Sequence, residues 1–197
     1  CNSTYNTHDE PRWYSTPSMV YLSALYETEA MLGDESRIIN DICTAAAELS
    51  PRFIAIAGTP IPMMMGTDFR GLAMEIEERS GIPTFGFATN GMHSYISGAD
   101  MSMAAVARRF CPHDVPKRRI AAGEKARVNL LGVTPLDFSV TGNVEAIKKV
   151  FEDNGYHIQS CWAMGSSWDE LMSAGGADVS VVLSSAGMSL AKVFEEI

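Results

Sequence analysis

The fold is decided by the stretch Arg52-Phe-Ile-Ala-Ile-Ala-Gly-Thr-Pro-Ile-Pro-Met-Met-Met-Gly-Thr-Asp-Phe-Arg-Gly71, which is followed by Gly81-Ile-Pro-Thr-Phe-Gly-Phe87. Residues 53–57 form a short apolar run between a proline and a glycine, as expected of a strand covered on both faces. A helix capped by Thr67 and ended by the glycine at position 81 follows, and residues 83–88 form the next strand. A strand, a loop, a helix and a second strand in this order predict a parallel α/β unit.

The same alternation of strands and helices continues along the chain. Hydrophobic periodicity predicts further helices at residues 34–49, 100–110, 143–154, 167–174 and 188–196. Short apolar runs predict further strands at residues 128–131, 156–163 and 179–183. We therefore predict an α/β fold of two Rossmann-like parallel α/β units, residues 1–111 and 126–197, joined by a polar linker at residues 112–125.

The composition is that of an ordinary globular chain with an acidic balance. Of the 197 residues, 46% are hydrophobic and 20% are charged, and the net charge is −9. Nucleic-acid surfaces need clustered basic residues, and the one such cluster, Lys117-Arg-Arg119, is interpreted as a solvated part of the linker. No apolar run approaches the ~20 residues that span a bilayer, and no secretory signal pattern is present. We therefore expect a protein or small-molecule partner, and no nucleic acid or membrane.

The four cysteines, Cys1, Cys43, Cys111 and Cys161, lie far apart and include no C-x-x-C pair. This spacing predicts neither a local zinc site nor a disulfide framework, so a reducing cytoplasm is the expected compartment. Cys43 and Cys161 fall on apolar faces and are predicted core residues. Because the sequence begins at Cys1 rather than methionine and stops after a helical pattern, we expect both units to be truncated parts of a longer protein.

Ligands of open parallel sheets bind outside the carboxyl ends of the strands, so the loops that follow the predicted strands are the candidate binding loops. Met63 and Met64 lie in the first such loop, where flexible side chains suit a large apolar ligand or a partner subunit; packing beneath the next helix is the alternative. Thr67 is a candidate anion contact as well as a helix cap. Asn90 and His93 lie in the second loop. His93 is the candidate catalytic proton donor because its ordinary pKa is ~6.5, and a solvated histidine without a role is the alternative.

Four groups of residues, taken in their order and spacing, resemble the pattern of one protein family. They are Tyr26-Glu-Thr-Glu-Ala-Met-Leu-Gly-Asp-Glu-Ser-Arg-Ile38; Thr59-Pro60 with Gly66-Thr-Asp68; Gly81-Ile-Pro-Thr-Phe-Gly-Phe87 with Gly98; and the run from Val128-Asn-Leu-Leu-Gly132 through Asn154-Gly155 to Ser184. Together they resemble the nitrogenase component 1 type oxidoreductases. That family includes the molybdenum-iron protein subunits, their cofactor-assembly scaffold and several tetrapyrrole reductases.

The resemblance implies an oxidoreductase subunit that pairs with a homologous component 1 subunit, as a homo- or heterodimer. It also implies an ATP-dependent iron protein as the electron donor, and an iron-sulfur cluster shared with the partner subunit. Low-potential electrons would pass through that cluster to a substrate or metallocofactor held by the Rossmann-like units. The candidate cofactor-binding residues are Thr59, Met63, Met64, Thr67, Asn90 and Ser184.

The sequence departs from the family pattern where metal ligands are expected. Thr59 stands where the family places a cluster-ligating cysteine, and Ser184 stands where nitrogenase catalytic subunits place the cysteine that holds the active-site metal cluster. A hydroxyl is a poor ligand for iron in a sulfide cluster. The nitrogenase histidine pair is replaced by Ala99-Asp100, so a dinitrogen-reducing centre is not expected. Cys1 is the remaining candidate metal ligand, and a terminal residue without a role is the alternative.

Two other functions remain open from the sequence. The same fold could serve as a non-catalytic scaffold for metallocofactor assembly, or the chain could be a small-molecule-binding α/β module. The loss of cysteine at Thr59 and Ser184 favours the scaffold. The glycine-rich and methionine-rich loops fit electron transfer and scaffolding equally.

Overall fold

The computed structural model describes residues 20–21, 32–116 and 118–197. Its α-helices are α1 (Ser36–Leu49), α2 (Pro60–Met65), α3 (Phe69–Ser80), α4 (Tyr95–Phe110), α5 (Asn143–Asp153), α6 (Trp168–Met172) and α7 (Met188–Glu196). Its strands are β1 (Ile54–Ala57), β2 (Thr84–Phe87), β3 (Ala126–Val133), β4 (Tyr156–Ala163) and β5 (Val179–Val182). All the strand pairs are parallel, so the predicted α/β class is confirmed. Within the described ranges, no helix combines the length and apolarity needed to cross a bilayer.

The chain divides into two units between His93 and Ser94. In the first unit, β1 pairs with β2 along its whole length. Ile54 and Ile56 of β1 are half-buried on the side that α1 and α3 cover, whereas the two alanines between and after them are exposed. The buried residues of this cluster are Ile39, Leu72 and Ile76. Burying a side chain of this size contributes about 1.5–3 kcal/mol, which holds the two helices on the sheet.

Helix α3 crosses β2 at Gly86 at very close range. A Cβ atom on Gly86 would lie 1.8 Å from the carbonyl oxygen of Phe69, the first residue of α3. The absence of a side chain at Gly86 therefore sets the distance between the helix and the strand. Helix α3 ends at Ser80 and is capped by Gly81, whose φ of 71° is the left-handed conformation expected of a glycine that terminates a helix.

The second unit is a three-stranded parallel sheet in the order β4-β3-β5. The central strand β3 is buried from its third residue onward because helices cover both of its faces. Helices α4 and α7 pack on one face, around Leu131 and Leu190. Helix α5 packs on the other face, around Leu130 and Val144. This layering is the Rossmann-like arrangement that the sequence predicted.

Helix α4 differs from its prediction in its start and in its packing partner. It begins at Tyr95 rather than at residue 100, because Ser94 provides an N-cap whose hydroxyl accepts a hydrogen bond from Ile96 N. Its buried side chains, Met103, Ala104 and Ala107, belong to the core of the second unit. The predicted boundary at residue 111 had placed this helix in the first unit.

The predicted linker contains neither helix nor strand among its described residues, yet it is fastened to the sheet of the second unit. The Arg118 guanidinium donates to Asp178 Oδ2 at 2.9 Å and also pairs with Glu124. Asp178 Oδ2 accepts a second hydrogen bond from Arg127 N at 2.7 Å. Arg118 first, and then the Arg127 backbone, lower the pKa of Asp178. The interpretation of this basic cluster as solvated is therefore wrong for Arg118.

A hydrogen-bonded polar network lies inside the second unit. Asn129 of β3 is buried, and its amide donates to Ala174 O at 2.9 Å and to Ser180 Oγ at 3.2 Å. Its amide oxygen accepts from Ser160 Oγ at 2.7 Å, and Trp162 Nε1 donates to the same hydroxyl at 3.0 Å. Because these buried groups have partners, the network links β3 to both neighbouring strands without leaving an unsatisfied donor on Asn129.

Candidate functional site

The loops that follow β1 and β2 are hydrogen-bonded to each other at the carboxyl edge of the first sheet. Gly58 N donates to Phe87 O at 3.0 Å, and Thr89 Oγ1 donates to Gly58 O at 2.9 Å. A Cβ on Gly58 would lie 2.4 Å from Thr89 O, so a side chain there would separate the loops. The two candidate binding loops of the first unit therefore form one continuous edge, which is where parallel sheets hold ligands.

The first of these loops contains the short helix α2, which the sequence analysis did not predict. The helix follows Thr59, has Pro60 at its first position and ends at Met65, after which Gly66 caps it in the left-handed conformation. Proline suits the first turn because an N–H at that position has no partner within the helix. Thr59 is extended and half-buried, and its hydroxyl caps none of the free N–H groups. The Thr-Pro pair was the available sequence signal for this helix.

The candidate methionines are open to solvent. Met64 is 81% exposed, Met63 is also exposed, and Met92 of the second loop is 75% exposed. The two loops meet near Gly91, where a Cβ would lie 3.4 Å from Pro60 Cγ. We call the exposed residues Ile61, Met63, Met64 and Met92 the methionine surface. Because Met64 is this exposed, it does not pack beneath the following helix, which was the alternative interpretation of these methionines.

The cap of helix α3 is Asp68 and not Thr67. Asp68 Oδ1 accepts hydrogen bonds from Arg70 N at 3.1 Å and from Gly71 N at 3.0 Å. The predicted cap at Thr67 is therefore wrong, because the helix begins one residue later and a carboxylate takes its free amides. Since Asp68 also places negative charge there, the start of α3 is a poor place for an anion. A ligand contact by Thr67 stays a prediction.

In the second loop, Asn90 and His93 occupy different environments. Asn90 is half-buried, and its Oδ1 accepts a hydrogen bond from Met92 N at 2.8 Å, which closes a turn. His93 is exposed. An exposed imidazole can exchange protons with solvent or with a bound molecule, and the role of His93 as a proton donor stays a prediction.

Ser184 lies at the carboxyl edge of the second sheet, just beyond β5, and is enclosed by glycines. Its hydroxyl donates to Gly132 O at 2.6 Å. Gly132 has a φ of 81°, and a Cβ on it would lie 2.8 Å from both oxygen atoms of Ser184 and 2.9 Å from Gly187 N. The Ser184 hydroxyl is thus directed at the backbone at the end of β3.

The same edge carries a constellation that the sequence analysis missed. Tyr95 Oη donates to Asp137 Oδ1, and Thr134 Oγ1 donates to Asp137 Oδ2 at 3.0 Å. The Tyr95 hydrogen bond is the largest cause that lowers the pKa of Asp137, and the Thr134 hydroxyl lowers it further. We call Tyr95, Thr134, Asp137 and Ser184 the oxygen cluster.

At neutral pH this cluster carries one negative charge. Burial, followed by the hydrogen bond to Asp137, raises the pKa of Tyr95, so the phenol is protonated while the carboxylate is ionised. Tyr95 and Asp137 are 42 positions apart, so the sequence indicated no partner for Asp137. The one available signal was that Asp137 follows a predicted strand.

Ala99 and Asp100, which the resemblance aligns with a histidine pair, have structural roles in this chain. Asp100 of α4 accepts hydrogen bonds from the backbone N, at 2.7 Å, and from the hydroxyl of Ser189 in the first turn of α7. A carboxylate at a helix N-terminus stabilises it by satisfying its free amides. Ala99 packs against the core of the second unit.

The described cysteines are buried or half-buried. Cys111 and Cys161 are 2% and 1% exposed, and burial raises the pKa of each thiol to about 11. Cys43 is half-buried against the cluster of the first unit. The predicted core position of Cys161 is confirmed, and Cys43 is only partly buried. Cys1 lies outside the described residues.

The donor set of the described residues does not fit a thiolate-held iron-sulfur cluster. Thr59 and Ser184 offer hydroxyls, and the buried thiols are neutral at physiological pH, whereas the clusters are normally held by thiolates. No three His, Cys, Asp or Glu side chains converge within the part of the chain that the structure describes.

Comparison with known proteins gives one consistent family. The family model described as "Nitrogenase component 1 type Oxidoreductase" matches residues 1–197. The nitrogenase molybdenum-iron protein alpha chain of Methanosarcina barkeri is 23% identical over 157 residues, covering 80% of this chain and 28% of that protein. The nitrogenase iron-molybdenum cofactor biosynthesis protein NifE of Clostridium pasteurianum is 24% identical over 178 residues, covering 87% and 36%.

Solved structures show the same fold. The chain described as "Nitrogenase Cp1 at pH 5" superposes with a TM-score of 0.71 at 19% identity, covering 90% of this chain and 34% of that one. Its counterpart at pH 6.5 gives a TM-score of 0.66 at 20% identity, covering 85% and 31%. The present chain therefore spans about a third of the length of these relatives.

Proposed function

Because this chain belongs to the nitrogenase component 1 type oxidoreductase family, we propose that it is a component 1 type subunit for ATP-driven, low-potential electron transfer. The electrons come from an ATP-dependent iron protein and pass through an iron-sulfur cluster at the interface with a homologous subunit. They end on a substrate or metallocofactor bound by the Rossmann-like units. The observation that carries the proposal is the family match over the whole chain, together with two parallel sheets whose loops gather at their carboxyl edges.

The partner subunit supplies most of the cluster ligands in this proposal. The buried thiols of Cys111 and Cys161 are neutral at physiological pH, and Cys1 is the candidate ligand from this chain. This chain's contribution is the surface around the cluster and the ligand. The methionine surface suits that role, because methionine adapts to a partner or to a large apolar molecule and because Met63, Met64 and Met92 are exposed.

The test is reconstitution of the complex under strict anaerobiosis. The chain is co-purified with its homologous subunit and mixed with reduced iron protein and ATP, and iron, acid-labile sulfide and the EPR signal are measured. A reducible cluster that is lost in Cys1→Ala supports electron transfer with a ligand from this chain. A complex without iron contradicts the proposal.

The role of the methionine surface is tested by a matched pair of variants. Met63→Ser combined with Met64→Ser is expected to weaken association with the partner subunit. Met74→Ser, which alters a 65% exposed methionine on α3, is the control and is expected to leave association unchanged. Equal association of both variants and the wild type would contradict a contact through this surface.

A second candidate is a non-catalytic scaffold for metallocofactor assembly or, more simply, a small-molecule-binding α/β module. The observation that favours it is the pair of hydroxyls at Thr59 and Ser184, of which the second is engaged with Gly132 O. Under this alternative, the complex accepts no electrons from the iron protein but binds a metallocofactor precursor or an organic molecule. Single-turnover electron transfer with ATP separates the two functions.

A further inference from the structure

The carboxyl edge of the second sheet has the chemistry of a hydrogen-bonding site and lacks that of a metal–sulfur site. Ser184 stands where the resemblance places a metal-ligating thiolate, but its hydroxyl proton is given to Gly132 O at 2.6 Å. Gly132 and Gly187 approach so closely there that a Cβ on Gly187 would lie 2.8 Å from the Leu131 carbonyl carbon. Ser184 is thus held as part of the backbone packing.

The charge of this edge comes from Asp137. Its two oxygen atoms accept hydrogen bonds from Tyr95 and Thr134, which fix the direction of the carboxylate. No lysine, arginine or histidine among the described residues forms an ion pair with it. Each carboxylate oxygen can accept more than one hydrogen bond, so both retain capacity for a ligand.

Apolar side chains lie on either side of Asp137 in the same loop. Leu136 is 61% exposed and Val140 is 65% exposed. An exposed, oriented carboxylate that has no ion-pair partner among the described residues, and that is flanked in sequence by exposed apolar side chains, matches a molecule that carries a cationic N–H group on an apolar body. Its position beyond the carboxyl ends of parallel strands is the usual ligand position of open α/β sheets.

We propose that the oxygen cluster is the ligand site of the second unit and binds a small organic cation, an amine or guanidine with an apolar body, in place of a thiolate-held metal. The ligand's N–H groups donate to Asp137, while Tyr95 and Thr134 hold the carboxylate in position. This inference names the substrate class of the proposed function and rests on it in that respect. The binding itself requires only this chain, so it can fail independently of electron transfer.

The first experiment is an NMR titration of the full 197-residue chain with butylguanidinium, using neutral butylurea as the control compound. The shifts of Asp137, Tyr95 and Leu136 are expected to saturate with butylguanidinium and to move little with butylurea. Asp137→Asn is expected to weaken butylguanidinium binding about tenfold or more, as expected for loss of a charge-assisted hydrogen bond.

Matched variants separate this site from general attraction to an acidic chain. Asp153→Asn removes an exposed carboxylate that is paired with Lys149, and it is expected to leave the affinity within about twofold. Tyr95→Phe keeps the charge but removes one support of Asp137, and it is expected to weaken binding by a few-fold. If Asp137→Asn and Asp153→Asn have the same effect, butylguanidinium binds the acidic surface only, and the proposal is overturned.

The second experiment tests whether this edge of the sheet binds iron through Ser184 or Asp137. The wild-type chain, Ser184→Ala and Asp137→Asn are incubated anaerobically with ferrous iron and sulfide, desalted and assayed for bound iron. The three proteins are expected to retain the same amount. Iron that the wild type retains and Ser184→Ala loses would show metal ligation at this edge and would overturn the proposal.

Discussion

At the scale of single residues, the packing of α3 on β2 in the first unit depends on the absence of a side chain at Gly86. Gly86 lets the Phe69 carbonyl of α3 rest directly on β2, and any side chain would have to displace the helix. The sequence contained this glycine within a strand pattern, where glycine typically marks a close approach of another backbone. The partner in that approach could not be predicted, because it depends on where the helix crosses the strand.

Gly86→Ala is therefore expected to destabilise the chain by about 3 kcal/mol, because the added methyl group overlaps backbone rather than a movable side chain. Gly176→Ala is the matched control. A Cβ on Gly176 would meet nothing within 4 Å, so its effect should stay below about 1 kcal/mol. Urea unfolding of both variants measures the difference, and equal midpoints would contradict the close approach.

Asp178, also a single residue, makes a pH-dependent contribution to the free energy of unfolding. Hydrogen bonds from Arg118 and from the Arg127 backbone lower its pKa in the folded state. Its stabilising contribution is therefore present above the unfolded pKa of ~4 and is lost as the pH falls through the lower folded value. Asp178→Asn is expected to reduce the unfolding free energy by about 1 kcal/mol at pH 7.

That deficit should shrink as the pH falls below about 4, because the wild-type carboxylate then becomes neutral too. Unfolding free energies measured from pH 7 to pH 3 test this expectation. Asp153→Asn, at an exposed i,i+4 pair with Lys149, is the control and should show little deficit at any pH. A deficit for Asp178→Asn that is constant over the whole range would exclude the charge as its cause.

At the scale of elements, the hydrophobic pattern predicted the existence of the described strands and of each described helix of eight residues or more. Local capping was harder to predict. The start of α3 was predicted at Thr67 because a threonine before an apolar run is a usual cap, but Asp68 is the better acceptor and stands one position closer. Helix α4 was predicted too short because the polar residues of its first turns obscured its pattern.

Asp68→Ala is expected to destabilise the chain by about 1 kcal/mol, since it removes the acceptor for the Arg70 and Gly71 amides. Thr67→Ala should have an effect within about 0.5 kcal/mol, because its neighbour performs the capping. Thermal unfolding followed by circular dichroism distinguishes the two variants. A larger destabilisation by Thr67→Ala than by Asp68→Ala would show instead that Thr67 caps the helix.

At the scale of the whole molecule, the division into units could not be read from the predicted linker. The linker looked like a domain boundary because it is polar and contains prolines, yet its Arg118 binds Asp178 at the start of β5. The division instead lies at His93 and Ser94, immediately before α4. The oxygen cluster was missed for a related reason, since Tyr95 was assigned to the other unit.

A chain of residues 94–197 alone is expected to fold cooperatively. Its parallel sheet has three strands with helices on both faces, and its polar network is internal. A single urea transition that coincides by fluorescence and by circular dichroism would support this expectation. The absence of a cooperative transition would show that the second unit depends on the first.

The two buried thiols of the second unit are natural probes of local opening, because the rate at which each is alkylated depends on how often its surroundings open. Cys111 belongs to the cluster that α4 and α7 cover, and Cys161 belongs to the cluster on the opposite face, which α5 covers. A thiol with a pKa of about 11, shut away from solvent, is alkylated only when its layer opens. The labelling times of the two cysteines therefore report separately on the two helical layers, and their ratio reveals whether the layers open together or in turn.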